Sequence, residues 1–217
     1  MQVVSVVQQK GGAGKSTLVC ALASSLDRDR ARVLIIDTDK QQSCVAWAEQ
    51  MDLAGVDTLP LLNEEDLASA LKSVEGQYDV VLIDTAGYDS QMASYVIQRS
   101  QLIFIPTGGA RASIVGAGRT YRHIQALTEM SKAPPVVRWV IWNVRSNTAV
   151  FQQAKAMIRD SKMPVVAANV PSLTGFEKMT WTGGHPEGTA AMAMREFLAE
   201  LQMEGLLEFY ADRDEAA

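Results

Sequence analysis

The sequence predicts an α/β fold: a doubly wound, mostly parallel sheet with helices on both faces. Short apolar runs alternate along the chain with longer segments that have the periodicity of amphipathic helices. The runs are apolar at nearly every position, which is typical of strands whose two faces are both covered. A chain of 217 residues that is 47% hydrophobic can bury the core that such a fold requires.

In the first part of the chain, apolar runs alternate with segments of helical spacing. Leu18, Leu22 and Leu26 share one face of the first predicted helix. The first predicted strand leads directly into a glycine-rich loop. The predicted strands are 3–7, 32–39 and 78–87, and the predicted helices are 16–26, 43–51 and 64–74.

The second part of the chain continues this alternation. Pro106 stops its strand, because proline donates no backbone hydrogen bond. Gly116 and Gly118 weaken the prediction of the helix that contains them. The predicted strands are 101–107, 136–143 and 164–170, and the predicted helices are 111–131, 147–160 and 188–205. Residues 1–210 are therefore predicted to form one domain, and the acidic tail 211–217 is predicted to fray.

Composition disfavours several classes of protein. No apolar run approaches the roughly 18 residues of a membrane span, and the N-terminus enters a strand without a charged leader. Cys20 and Cys44 form no C-x-x-C motif, and His123 and His185 are too isolated to predict a metal site. We therefore expect a cytoplasmic protein with reduced thiols, and histidines that lie on the surface or pack against helices.

The net charge of −5 hides an uneven distribution. Residues 111–178 contain ten Lys and Arg but only three Asp and Glu, so the rest of the chain carries about −12. A basic segment in an acidic protein fits a surface for nucleic acid or another polyanion. It equally fits arginines spread over several solvated helices, and charge alone does not separate the two interpretations.

The strand at 3–7 is followed by the loop Q-Q-K-G-G-A-G-K-S-T, residues 8–17. Glycines let the backbone turn tightly and direct N–H groups at phosphate oxygens, and the positive end of the next helix reinforces them. Lys15 has the position of a lysine that contacts terminal phosphates, and Ser16 that of a Mg²⁺-binding hydroxyl. The loop has Gln9 where the standard pattern has glycine, and an additional lysine, Lys10. The predicted nucleotide-binding residues here are Gly11, Gly12, Ala13, Gly14, Lys15, Ser16 and Thr17.

Three aspartates lie at the carboxyl ends of predicted strands, where ligands bind in folds of this class. Asp84 ends an apolar strand and is followed by T-A-G, the placement of an acid next to Mg²⁺. Asp37 and Asp39 end the strand at 32–39, where they can hold the metal or orient water, or one of them can cap the next helix. We predict that Ser16, Asp37 and Asp84 bind metal and that Asp39 is catalytic.

Three motifs occur in order: K-G-G-A-G-K-S at 10–16, D-T-D-K-Q at 37–41 and D-T-A-G at 84–87. On these motifs the chain resembles the ParA/MinD family of deviant Walker ATPases over nearly its whole length. Because the first strand begins at once, it most resembles the small, ParF-like type of ParA. The resemblance implies a P-loop NTPase fold, ATP and Mg²⁺ as cofactors, and a homodimer that forms on ATP.

The resemblance also implies residue roles. Lys10 matches the signature lysine that reaches across the dimer to the partner's ATP phosphates; otherwise it is a solvated lysine beside the loop. Asp39 matches the acid that positions the attacking water. Asn143 and Pro171 match adenine-contacting positions, although these residue types are also common at strand ends for structural reasons. Two departures, Lys40 in place of the usual proline and D-T-A-G in place of D-x-P-P, leave the hydrolysis rate and the response to a partner open.

Members of this family differ in what the ATP dimer binds. ParA types bind DNA without sequence preference and respond to a ParB-type centromere-binding protein, whereas MinD types bind membrane through a basic amphipathic helix. The acidic C-terminal segment fits a core-packing helix and disfavours membrane binding. We expect a nucleoid-associated partition ATPase; the alternatives are a membrane-positioning ATPase, an ATPase that positions another cargo, and a metabolic ligase or kinase. Candidate DNA contacts are Arg111, Arg119, Arg122, Arg145, Lys155, Arg159, Lys162 and Lys178. The segment 179–185 could touch nucleotide or DNA, but Trp181 is more often expected to anchor its loop on the core.

Overall fold

The computed structural model describes residues 1–50, 53–87, 91–144 and 148–208. The strands are β1 (Gln2–Val6), β2 (Val33–Asp37), β3 (Val56–Pro60), β4 (Val80–Asp84), β5 (Leu102–Thr107), β6 (Val136–Val144) and β7 (Val170–Pro171). The helices are α1 (Lys15–Arg28), α2 (Ser43–Ala48), α3 (Leu67–Ser73), α4 (Gln91–Arg99), α5 (Arg111–Thr128), α6 (Ala149–Asp160), α7 (Thr174–Thr182) and α8 (Gly188–Met203), with a 3₁₀ turn, Glu64–Asp66, before α3.

The seven strands form one sheet in the order β3-β2-β4-β1-β5-β6-β7, and every pair of neighbours is parallel. Helices cover both faces, so the predicted doubly wound α/β fold is confirmed. In β5, Leu102 and Phe104 pack into the cluster that contains α1, α2, α7 and α8. Ile103 and Ile105 pack on the other face, with α5 and α6. This two-sided burial is why the strand sequences are continuously apolar.

The carboxyl edge of the sheet brings the predicted motifs together. Asp37 of β2 lies directly opposite Asp84 of β4 in the parallel register. Val6, the last residue of β1, is in turn the register partner of Asp84. The loop that leaves β1 therefore begins beside both strand-end carboxylates, as the rule for ligand sites in open α/β sheets requires.

Three elements were not predicted from the sequence, and one predicted strand was largely wrong. β3 is an edge strand whose residues are half-buried or exposed, so it has no apolar run. The helices α4 and α7 are short and were not recognised. The strand predicted at 164–170 is reduced to β7 and one isolated bridge between Trp139 and Val165, because this stretch lies at the opposite edge of the sheet.

The C-terminal helix α8 packs in the core, as predicted. Met194, Phe197 and Leu201 are fully or almost fully buried against α1 and the sheet. In the described ranges, no helix has both the length and the apolar composition needed to cross a bilayer. The tail 211–217, Arg145 and the side chain of Asn143 lie outside the described residues.

Candidate phosphate-binding and metal site

The loop between β1 and α1 has the backbone shape of an anion cradle. Gly12 and Gly14 have φ of 71° and 84°, left-handed values that favour glycine. Gly14 is the N-cap of α1 and, as a glycine, has no side chain that could cap the helix. The first N–H groups of a 14-residue helix therefore remain available to an anion. Gly14 is constrained twice, since a Cβ there would lie 2.3 Å from the indole Nε1 of Trp142.

A cavity of about 640 Å³ opens over this loop, within the size range of cofactor sites. Its wall contains Asp39 and Gln41 from the segment after β2, Trp47 from α2, and Gly87 from the segment after β4. The predicted loop residues that line it are Gly11, Gly12, Ala13, Gly14, Lys15, Ser16 and Thr17. The loop prediction and the placement of Asp39 thus converge on a single cavity.

The two lysines of the loop have different surroundings. Lys15 is half-buried at the start of α1, close enough to Asp84 to lower the pKa of that carboxyl. Lys10 is exposed, and its Nζ donates to the Ser113 hydroxyl of α5 at 3.3 Å. Lys10 therefore lies outside the cavity wall on an accessible face of the molecule, next to the loop it precedes.

Asp37 is fully buried and its carboxylate is saturated by backbone donors. Oδ1 accepts from Asp39 N–H at 3.0 Å, and Oδ2 accepts from the N–H groups of Cys44 and Val45 at 2.9 and 3.4 Å. Burial raises the pKa of Asp37, and these three donors partly offset the rise. Gln42, the residue before α2, has a left-handed backbone and does not cap the helix, so Asp37 performs that function from the end of β2.

Asp84 is equally buried but poorly satisfied. Its Oδ2 accepts from the Cys44 thiol at 3.3 Å, whereas Oδ1 has no hydrogen-bond partner in the part of the chain that the structure describes. Burial raises the pKa of Asp84 from 3.8 to about 6, although the Ser16 hydroxyl, the Cys44 thiol and Lys15 lower it again. A buried carboxylate oxygen without a donor is a place where a bound cation would compensate the missing interaction.

Cys44 belongs to this site, which the sequence did not indicate. Potential ligand atoms of Asp37, Cys44 and Asp84 lie within 4.8 Å of one another. The Cys44 Sγ also lies 3.7 Å from the Sγ of Cys20, and both thiols are free and buried. The only sequence signal was the position of Cys44 in the first turn of the helix that follows D-T-D-K-Q.

Asp39 lies in the turn after β2, and the catalytic role predicted for Asp39 stays a prediction. Its Oδ1 accepts from Gln41 N–H at 2.9 Å, which closes a tight turn after β2. Asp39 is also half-buried in the wall of the loop cavity.

Pro171 lines a second cavity of about 550 Å³, with Val144 and Met192. The adenine contacts predicted for Asn143 and Pro171 therefore stay predictions.

The described basic residues that were predicted to contact DNA, and Trp181, lie on the surface of the protein. The described candidates for DNA contact are exposed, but Lys178 pairs with Glu187 at 2.9 Å and Arg159 contacts Asp160 at 3.4 Å. The prediction that Trp181 anchors a loop on the core was wrong, since its side chain is 84% exposed. It lies in α7, whose buried face is supplied instead by Phe176 and Met179. His185, as predicted, packs against a helix, with Nδ1 at 2.7 Å from the Ser24 hydroxyl of α1.

Comparison with known proteins identifies the family. The VirC1 protein family model matches residues 1–194. Protein virC1 of Rhizobium radiobacter is 31% identical over 199 residues, which covers 84% of this chain and 82% of the relative. This chain belongs to the VirC1 family. The family prediction made from the three motifs, ParA/MinD, is confirmed.

Two further similarities extend beyond the VirC1 family, to a ParA protein and to McdA. Protein ParA of Rhizobium radiobacter is 32% identical over 107 residues, which cover 49% of this chain and 48% of that protein. The structure of apo McdA from Cyanthece superposes with a TM-score of 0.79, over 93% of this chain and 99% of that one. At 15% identity, this superposition shows that the fold is shared.

Proposed function

We propose that this VirC1-family chain is a Mg²⁺-dependent ATPase of the partition type. ATP closes a sandwich homodimer, the dimer binds DNA without sequence preference, and a ParB-type centromere-binding partner stimulates hydrolysis and release. The ParA relative supports this assignment, as does an ATP complex of McdA from Cyanothece, which shares the fold with a TM-score of 0.78.

One observation carries the proposal: an exposed lysine lies beside an uncapped helix end. Lys15 and the N–H groups of α1 supply the contacts that phosphates need from their own subunit. Lys10 lies outside that cradle, where its Nζ donates to the hydroxyl of Ser113. Two facing nucleotides would bring much negative charge together, and a lysine from each subunit would neutralise it. Dimerisation would then depend on ATP.

The residues present fit a hard divalent cation at the cradle. Ser16 and Asp84 would hold Mg²⁺, and Asp37 would belong to the nearby Mg²⁺ shell. Oδ1 of Asp84, which has no hydrogen-bond donor among the described residues, would be a ligand atom. Mg²⁺ would supply charge neutralisation between the terminal phosphates. Lys15 holds the phosphates, and Asp39, in the cavity wall, orients water for hydrolysis.

The DNA surface is assigned to the outer side of α5. Arg111, Arg119 and Arg122 are exposed, and among the described residues no acid lies within ion-pair distance of them. Their charges are therefore available to phosphates, unlike those of Lys178 and Arg159. The slope of log affinity against log salt is negative, and each phosphate contact removed should make it less steep by about 0.9.

The decisive experiment is binding to random-sequence duplex DNA with ATP, ADP or no nucleotide over a salt series. Wild type is compared with Lys10→Ala and with Lys72→Ala, a matched control that removes an exposed lysine of α3 far from the loop. We expect ATP-dependent, salt-sensitive binding that Lys10→Ala abolishes and Lys72→Ala preserves.

Absence of DNA binding in every nucleotide state would refute the partition assignment. ATP-dependent sedimentation with anionic liposomes would then identify a membrane-positioning ATPase. Fast turnover with a small substrate, without DNA or protein, would identify a metabolic enzyme instead.

A further inference from the structure

A buried glutamine ties the base of the phosphate-binding loop to two other elements. Gln8 is 1% exposed, and its Nε2 donates to the carbonyl of Pro106 in β5 at 3.0 Å. Its Oε1 accepts from Gln9 N–H at 2.9 Å and from the Thr120 hydroxyl of α5 at 3.0 Å. Thr120 is fully buried. The amide of Gln8 thus connects the start of the loop to the middle of α5.

The helix α5 contacts the loop at a second point. Lys10 donates to Ser113, in the first turn of α5. Ser113 and Thr120 are seven residues apart, or about two helical turns, so they lie on the same side of the helix. Gly116 lies between them, where an added Cβ would be 3.8 Å from Gln8 Oε1. One side of α5 therefore faces the loop along two turns.

The opposite side of α5 carries the exposed arginines. At about 100° per residue, Arg111, Arg119 and Arg122 fall within one quadrant of the helix, roughly opposite to Ser113 and Thr120. A single rigid element thus presents one side to the loop and the other to solvent. Any displacement of α5 that follows a change in the loop would move the arginine side with it.

We infer that α5 transmits the state of the phosphate-binding loop to its arginine side, and that the Thr120–Gln8 hydrogen bond is the link. When nucleotide binds, Lys10 leaves Ser113 and contacts phosphates instead. The loop therefore contacts α5 differently in the ligand-free and ligand-bound states. Gln8 and Thr120 then act as positioning residues that keep the helix attached to the loop during this exchange. The inference rests on the proposed function in one respect, namely that the polyanion bound by the arginines of α5 is DNA.

The chain offers a matched pair of threonines for the test. Thr120 and Thr128 are both buried in α5, and each hydroxyl lies within hydrogen-bond distance of the carbonyl oxygen four residues earlier, at 3.1 and 2.8 Å. They differ in that the Thr120 hydroxyl also contacts Gln8. Thr120→Val removes that contact but leaves Gln8 Oε1 satisfied by Gln9 N–H, so the fold should be retained. Thr128→Val removes an equivalent hydroxyl without touching the loop.

The measurement is hydrogen–deuterium exchange of peptides covering 111–128, with and without Mg·ATP, together with the affinity for a fluorescent ATP analogue. We expect ATP to change exchange in α5 for wild type and Thr128→Val but not for Thr120→Val, at equal nucleotide affinity. Thr120→Ser, which restores the hydroxyl, should restore the response. An unchanged response in Thr120→Val, or no response in wild type, would overturn the inference. If Thr120→Val does not fold, Gln8→Met, which also removes the Thr120–Gln8 hydrogen bond, is compared with Thr128→Val instead.

The exchange experiment contains no DNA, so its result is independent of the DNA assignment. If wild type binds DNA in an ATP-dependent way, Thr120→Val should reduce the ratio of affinities in ATP and ADP by about fivefold or more, and Thr128→Val should not. Loss of the exchange response with an intact affinity ratio would also contradict the inference. A wild-type protein that shows the exchange response but binds no DNA would refute the proposed function alone.

Discussion

Asp37 and Asp84 are neighbours in the sheet, equally buried, yet they are used differently. They face each other at the ends of β2 and β4. Asp37 accepts three backbone hydrogen bonds and fixes the start of α2, whereas one oxygen of Asp84 receives no donor from the described part of the chain. The backbone therefore satisfies one carboxylate fully and, within the described residues, leaves an oxygen of the other unsatisfied. Burial alone does not distinguish a structural acid from a functional one; the donors around it do.

The largest effect that this comparison predicts is a loss of folding stability when Asp37 is substituted. Asp37→Asn replaces a charged acceptor of three N–H groups with an amide that turns an NH₂ group towards some of them. We expect a loss of about 2–4 kcal/mol in the free energy of unfolding, measured by urea denaturation. Asp57→Asn, on the exposed side of β3, is the control and should change stability little. An Asp37→Asn protein as stable as wild type would mean that α2 does not depend on this carboxylate.

The next effect is on catalysis at Asp84. Asp84→Asn keeps the shape of the side chain but removes the charge that a divalent cation would need. We expect ATP hydrolysis to fall by about 10- to 100-fold and the Mg²⁺ requirement to rise, measured as steady-state ATPase activity over a Mg²⁺ titration. Wild-type activity in this variant would exclude Asp84 as a metal ligand.

Without ligand, we expect Asp84→Asn to change the free energy of unfolding by a smaller amount. The change is opposite in sign to that expected for Asp37→Asn. Because the folded-state pKa of Asp84 is about 6 and its ordinary value 3.8, the folded protein binds this proton more tightly than the unfolded chain. That stabilisation is complete below about pH 4 and is lost as the pH rises through 6. Asp84→Asn should therefore stabilise the protein by about 1–3 kcal/mol at pH 8 and have almost no effect at pH 4. Destabilisation at pH 8 would contradict this account.

The smallest effect concerns the thiol that contacts Asp84. Cys44→Ala removes a hydrogen bond that favours the ionised carboxylate, so its stability cost should be greater at pH 8 than at pH 5. We expect a difference of about 1 kcal/mol between the two pH values. In the background of Asp84→Asn the pH dependence should vanish, which a double-mutant cycle in urea measures directly. A pH-independent cost would assign Cys44 to packing alone.

The sequence predicted the loop, the strand-end acids and the alternation of elements, because each rests on local chemistry. Glycines at fixed positions and an apolar run that ends in an acid are readable from a few residues. The capping of α2 by Asp37 was left open, since it depends on the left-handed backbone of Gln42. The contact between Gln8 and Thr120 joins residues 112 positions apart, and no periodicity reports it.

Elements at the edges of the sheet were the least predictable. β3 and β7 are each paired on one side. β3 lacks an apolar run, whereas the apolar run at 164–170 forms only the start of β7 and one isolated bridge. The exposed position of Trp181 was also missed, because the preference of tryptophan for buried sites is a statistical tendency. In this protein the tendency holds for Trp139 and Trp142 in β6, which are covered by helices on opposite faces of the sheet.

Because the Trp142 indole contacts Gly14, the intrinsic fluorescence of the protein can report on the phosphate-binding loop. The ring lies under the turn where phosphate charge would collect, and it is tilted against Phe176 with ring centroids 5.0 Å apart. Indole emission responds to nearby charge and to small changes in ring packing. The arrival of nucleotide at the loop would therefore be recorded in the intrinsic fluorescence of the unlabelled chain, in real time and before any partner is added.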